Sequence, residues 1–84
     1  MNKVFSDLAW EQYQYWNAND KKVLKKINDL IRDIERSGYD GIGKPEALKN
    51  ELSGFWSRRI TDVHRLIYSV DENNVYIAKC KDHY

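Results

Sequence analysis

Residues 55–82, FWSRRITDVHRLIYSVDENNVYIAKCKD, decide the fold. Three runs rich in Val, Ile, Tyr, Phe, Trp and Arg occupy residues 55–60, 63–70 and 75–82, separated by Thr61-Asp62 and by residues 71–74. β-Branched and aromatic side chains suit a pleated, half-buried surface, and short polar breaks between such runs suit hairpin turns. The pattern predicts three antiparallel strands.

Side chains alternate across a strand, so each run divides by parity. The even positions are mostly apolar: Trp56, Arg58 and Ile60, then His64, Leu66, Tyr68 and Val70, then Tyr76, Ala78, Cys80 and Asp82. The odd positions mix basic with apolar groups, including Arg59, Arg65, Lys79, Lys81 and His83. Burying the even face desolvates fewer charges, so it is expected against the helices, with the odd face open.

Upstream, the period changes. Val23, Leu24, Ile27, Leu30, Ile31 and Ile34 make one stripe of a 3.6-residue period, capped by Asn19 or Asp20 and ended by Gly38. An earlier helix follows a short strand at residues 3–5, with Ser6 as its cap and Ala9, Trp10, Tyr13 and Trp16 at helical spacing. The outer face of the second helix mixes Lys21, Lys22, Lys25, Lys26, Arg32 and Arg36 with Asp29, Asp33 and Glu35, the composition of a solvated face. Residues 38–51, GYDGIGKPEALKNE, hold three of the four glycines and the only proline, and read as the one long connection. Functional groups concentrate on such loops. The whole is expected to be one α+β domain over residues 1–84: a short N-terminal strand and two helices packed on an antiparallel sheet.

The chain's 84 residues leave no room for a second domain, and 42% apolar with 32% charged residues is a folding composition. Three Trp, six Tyr and two Phe supply core volume, while Trp10, Tyr13 or Trp56 could supply an interface. A net charge of +1 excludes a broadly basic nucleic-acid binder, so only a local patch could serve that role. No apolar run is long enough to cross a membrane and no export signal is visible, which predicts a cytoplasmic protein with no membrane partner.

Several chemistries are excluded. One cysteine makes no internal disulfide, and two histidines are too few for an ordinary structural zinc site. Cys80 and His83 lie three apart in an extended run and point to opposite faces, so they make no nucleophile and base pair. P-loop, dinucleotide and zinc-protease motifs are missing. What remains is Glu46 and Lys49 on the loop, the arginines of the strands, and the terminal His83-Tyr84. By residue chemistry alone Glu46 reads as a surface carboxylate after Pro45, His83 as a frayed penultimate residue, and His64 as a hydrogen-bonded sheet histidine.

The segments KPEALKNELSGFWSRRITDVHRLIY, residues 44–68, and KCKDHY, residues 79–84, give those residues another meaning. They resemble the YoeB-type toxins of bacterial type II toxin–antitoxin systems, within the RelE-like ribonuclease toxins, and the resemblance runs end to end. It implies the RelE-like fold and a ribosome-dependent endoribonuclease that cuts mRNA in the decoding-site codon and stops translation. It also implies a homodimer, and neutralisation by a YefM-like antitoxin. Mapped onto this chain, Glu46 is the expected general base, Arg65 the phosphate and transition-state stabiliser, His83 the general acid and Tyr84 a part of the substrate site. Lys49 and Arg59 match RNA-backbone positions, and the neighbouring Arg58 is counted with them. RNA carries its own nucleophile, the 2′-hydroxyl, so no metal and no other cofactor is expected. The alternatives are a gyrase-poisoning toxin resembling ParE, which has no use for Glu46 or His83, and a module whose basic face only binds.

Overall fold

The computed structural model describes residues 1–83, and Tyr84 lies outside the described residues. The elements in chain order are β1 (Asn2–Phe5), α1 (Asp7–Asn19), α2 (Lys21–Ser37), β2 (Glu46–Ala47), a 3-10 turn (Asn50–Leu52), β3 (Trp56–Arg59), β4 (Arg65–Val70) and β5 (Asn74–Lys79). The strands form one sheet in the order β1-β5-β4-β3-β2. The meander β3-β4-β5 is antiparallel as expected, and β2 extends it antiparallel to β3. The N-terminal strand instead pairs parallel to β5, so the sheet is mixed.

Local chemistry sets the helix ends. The Ser6 hydroxyl accepts from the Ala9 amide at 3.0 Å and donates to the Ala78 carbonyl at 2.8 Å, capping α1 while tying it to β5. Asp20 serves both helices: its N–H closes α1 on the Trp16 carbonyl at 2.8 Å, and its carboxylate accepts from the Lys22 and Val23 amides to open α2. Gly38, at φ +64°, ends α2 in a conformation that side chains with a Cβ resist.

The α2 stripe enters the core as predicted, with Ile27, Leu30 and Ile34 wholly buried against Leu66, Tyr68, Val75 and Ile77. In β3 and β4 the even positions face the helices as expected, although odd-numbered Ser57 and Ile67 are buried too, and in β5 parity fails. Ile67 pairs with Lys79 but Tyr68 pairs with Ile77, so one extra residue, Ala78, forms a bulge. Before it, odd-numbered Val75 and Ile77 face the helices; after it, Cys80 does.

Arg58 is a correction. Expected among the RNA contacts, it is instead fully buried, on the side of β3 that packs against the helices. Its five N–H groups all find acceptors: Nε the Tyr68 hydroxyl at 3.0 Å, Nη1 Asp33 Oδ2 at 2.5 Å and the Ile42 carbonyl, and Nη2 the Gly38 and Asp40 carbonyls. Asp33 also accepts from Arg36 and from the Ile42 amide. A Cβ on Gly41 would overlap the Asp33 carboxylate, so glycine is required where the loop crosses this ion pair. Among the described residues, no buried side-chain nitrogen or oxygen lacks a hydrogen-bond partner.

Hydrogen bonds from Arg58 first, then from Arg36 and the Ile42 amide, hold the Asp33 carboxyl down at about 2. Asp33→Asn keeps the shape and strands the buried guanidinium, so chemical denaturation should show a loss of about 3–5 kcal/mol. Acid supplies a second test. The folded state holds this proton more weakly than the unfolded chain, whose carboxyl has the ordinary value of 3.8, so the stabilisation is complete above that value and is lost as pH falls toward 2. Stability followed by circular dichroism should drop through this window in the wild type and more shallowly in Asp33→Asn.

Candidate active site

The open face of the sheet is organised in rows. Glu46 stands opposite Ser57 in the β2–β3 register and Ser57 opposite Ile67, while Arg59 stands opposite Arg65. Glu46, Ser57, Arg59 and Arg65 therefore share a face although they come from three strands. Two arginines directly across a ladder repel one another, and an anion between them removes that repulsion.

The long connection delivers Glu46 onto this face. Arg58 holds the carbonyls of Gly38, Asp40 and Ile42, and the Gly43 carbonyl accepts from the Arg59 amide at 2.7 Å. Gly43, at φ +82°, passes so close to Leu30 that a Cβ would sit 2.8 Å from its Cδ2. The Leu48 amide then donates to the Phe55 carbonyl at 2.9 Å, and Leu48 is buried, which closes β2 against β3. The expected loop therefore contains a short edge strand, whose polar and proline-flanked sequence carries no strand signal.

Arg65 is oriented by its own turn. Its Nη1 donates to the carbonyls of Thr61, Asp62 and His64 at 2.8, 3.2 and 3.1 Å, which fixes the plane of the guanidinium. The tail beyond β5 returns to the same place. The Arg65 amide donates to the Asp82 carbonyl at 3.0 Å, Asp82 turns at φ +64°, and the Lys79 ammonium donates to the His83 carbonyl at 2.8 Å.

Glu46, Arg59, Arg65 and His83 thus line one cleft of 280 Å³, together with Ser57 and Lys44. Sequence reasoning missed the last two. Ser57 shares the odd parity of Arg59, which is the signal that could have found it. Lys49 borders an adjoining cleft of 480 Å³ that also has Glu46 on its wall. Lys79 supports the tail, whereas Lys81 turns away, its ammonium 5.1 Å from the centre of the Tyr15 ring. Tyr84, expected at the substrate, lies outside the described residues.

The cleft offers a carboxylate, an imidazole and two guanidinium groups, that of Arg65 held by its own turn, the parts needed for proton transfer beside an anion. Cys80 takes no part: it is buried, and burial pushes its thiol up to about 12. Among the described residues, no group of three or more His, Cys, Asp and Glu side chains could hold a metal ion. No helix among them is long and apolar enough to cross a membrane.

Comparison with known proteins adds an independent observation. The toxin YoeB of Escherichia coli K12 is 51% identical over 84 residues, covering the whole of both chains. The structure of the YoeB dimer from Staphylococcus aureus, 54% identical, superposes with a TM-score of 0.95 over 100% of this chain and 98% of that one. The heterotetrameric YoeB-YefM toxin–antitoxin complex from the same organism matches at 54% identity with a TM-score of 0.94, again over 100% and 98%. The family described as YoeB-like toxin of bacterial type II toxin–antitoxin system matches residues 5–84, and with full-length relatives of such identity the chain belongs to that family.

Proposed function

We propose that this toxin is an endoribonuclease that cleaves mRNA in the ribosomal decoding site, using acid–base chemistry on the RNA's own 2′-hydroxyl. One observation carries the reading: Glu46, Arg65 and His83, far apart in the chain, line the same cleft with Arg59. In the proposed reaction Glu46 takes the 2′-hydroxyl proton as that oxygen attacks the adjacent phosphorus. The bond to the 5′-oxygen breaks, and His83 gives that oxygen its proton, leaving a 2′,3′-cyclic phosphate. Arg65, with Arg59 beside it and Lys49 at the adjoining cleft, neutralises the charge that grows on the phosphorane. Tyr84 joins the substrate side in this reading. A gyrase-poisoning toxin would leave the convergence of Glu46 and His83 without a use.

The partners follow from the same family. We extend to this chain the dimer and the YefM-type antitoxin seen with the S. aureus relative, with the ribosome as the place of action in the cytoplasm. Trp10, half exposed beside Phe5 and Tyr13, remains available for an interface, whereas Trp56 stacks on Tyr39 at 4.7 Å.

Purified toxin incubated with ribosomes programmed with a defined mRNA should cut within the decoding-site codon, and much more slowly in the same RNA without ribosomes. Equal rates on both substrates would remove the ribosome from the mechanism. Glu46→Gln and His83→Gln should each lose about 10²–10⁴-fold in single-turnover rate with circular dichroism unchanged. Arg65→Ala should lose about 10²–10³-fold. Full activity in any of these variants would strip that residue of its role.

A further inference from the structure

Past Lys79 the chain leaves the regular strand, yet His83 must reach a fixed place in the cleft. Terminal residues wander unless they are tied down. Here the tie is made by two consecutive residues. The Asp82 amide donates to His64 Nδ1 at 2.8 Å, and the Asp82 carbonyl accepts from the Arg65 amide at 3.0 Å. Both backbone polar groups of the residue before His83 are therefore held by the segment that carries Arg65.

His64 is itself held. Its amide donates to Thr61 Oγ1 at 3.0 Å, and its carbonyl accepts from the amides of Ile60 and Thr61. Its ring, 20% exposed, lies edge-on to Trp16 with centroids 4.8 Å apart. Trp16 in turn donates from Nε1 to the Cys80 carbonyl at 2.9 Å, and Gln12 accepts from the Cys80 amide at 2.7 Å. Nδ1 accepts, so the neutral ring carries its proton on Nε2. Asp82 has φ +64°, a left-handed turn that asparagine, aspartate and glycine tolerate best, and this turn swings His83 back over the sheet.

We infer that His64 is a positioning residue whose Nδ1 clasps the Asp82 amide and so holds His83 in the cleft that Arg65 lines. The inference rests on the nuclease reading for its purpose and on the Asp82 hydrogen bonds for its existence. His64 touches no reacting atom; its contribution is to restrict where the imidazole of His83 can be found. Misplacing a catalytic group by about 1 Å can cost on the order of 10²-fold in rate, which sets the scale.

Two substitutions separate the acceptor from the ring. His64→Phe keeps an aromatic ring on Trp16 and removes the acceptor; His64→Asn supplies an amide oxygen close to where Nδ1 sits. Single-turnover cleavage of ribosome-bound mRNA should show kcat lower by about 10- to 10²-fold in His64→Phe, KM within about twofold, and most of the loss restored in His64→Asn. Hydrogen exchange of the Asp82 amide, measured by NMR on the toxin alone, should accelerate in His64→Phe and stay slow in His64→Asn. Wild-type kcat in His64→Phe, equal losses in both variants, or unchanged Asp82 exchange in His64→Phe would each overturn the inference. If the wild type cuts no RNA on ribosomes, the nuclease reading fails and the exchange comparison alone decides the clasp.

Discussion

A guanidinium shut away from water needs an acceptor for every N–H it carries, and Arg58 meets that demand with five. Three are backbone carbonyls of residues 38–42, so a connection of glycines and small turns acquires one conformation by serving as the solvent shell of a buried charge. Asp33 supplies the counter-charge from α2 and Tyr68 the hydroxyl from β4. Helix, sheet and loop therefore meet at one side chain, and the position of everything after residue 42 follows. Replacing such a pair by apolar residues is often neutral or stabilising in other proteins. Its use here is geometric: no apolar group could order three carbonyls.

The loop so fixed brings Glu46 to the edge of a sheet whose exposed face already sets Arg59 opposite Arg65. The core side and the open side of β3 thus use neighbouring arginines for different ends. Arg58 is neutralised by Asp33 and spends all its donors internally, while Arg59 stands at the cleft. An alternating strand makes this division unavoidable, because adjacent side chains cannot serve the same face.

Much of this is legible in the sequence. The α2 stripe, Asp20 as a cap and the β3-β4-β5 meander can all be read from periodicity and polar breaks, because each depends on residues close in the chain. Three features cannot. The bulge at Ala78 is decided by pairing between β4 and β5, so the parity of Val75 and Ile77 misleads. Glu46–Ala47 is a strand only because the Arg58 cluster delivers it to β3. Arg58 falls on the helix-facing parity, but its charge argues for the surface unless Asp33 is known to be its neighbour, and they lie 25 residues apart. The candidate residues Glu46, Arg65 and His83 are nameable through the family motifs, whereas their convergence on one cleft belongs to the fold.

The cleft also divides by which elements carry its parts. Arg65 pairs with Arg59 on one side and donates its amide to the Asp82 carbonyl on the other, and its guanidinium donates to three carbonyls. Glu46 rides a two-residue edge strand, and His83 follows a clasp made through its neighbour's peptide group. In the proposed reaction the groups assigned to proton transfer thus ride on the sheet edge and on the tail, and the group assigned to charge stabilisation on an inner strand. In that reading a surface that further restrains the edge strand and the tail acts on the acid–base half. In the proposed reaction the ribosome is such a restraint: ordering the base and the acid raises the rate of the chemical step with little change in how phosphate is held. In that reading the toxin reaches its full rate only where a second surface completes the site.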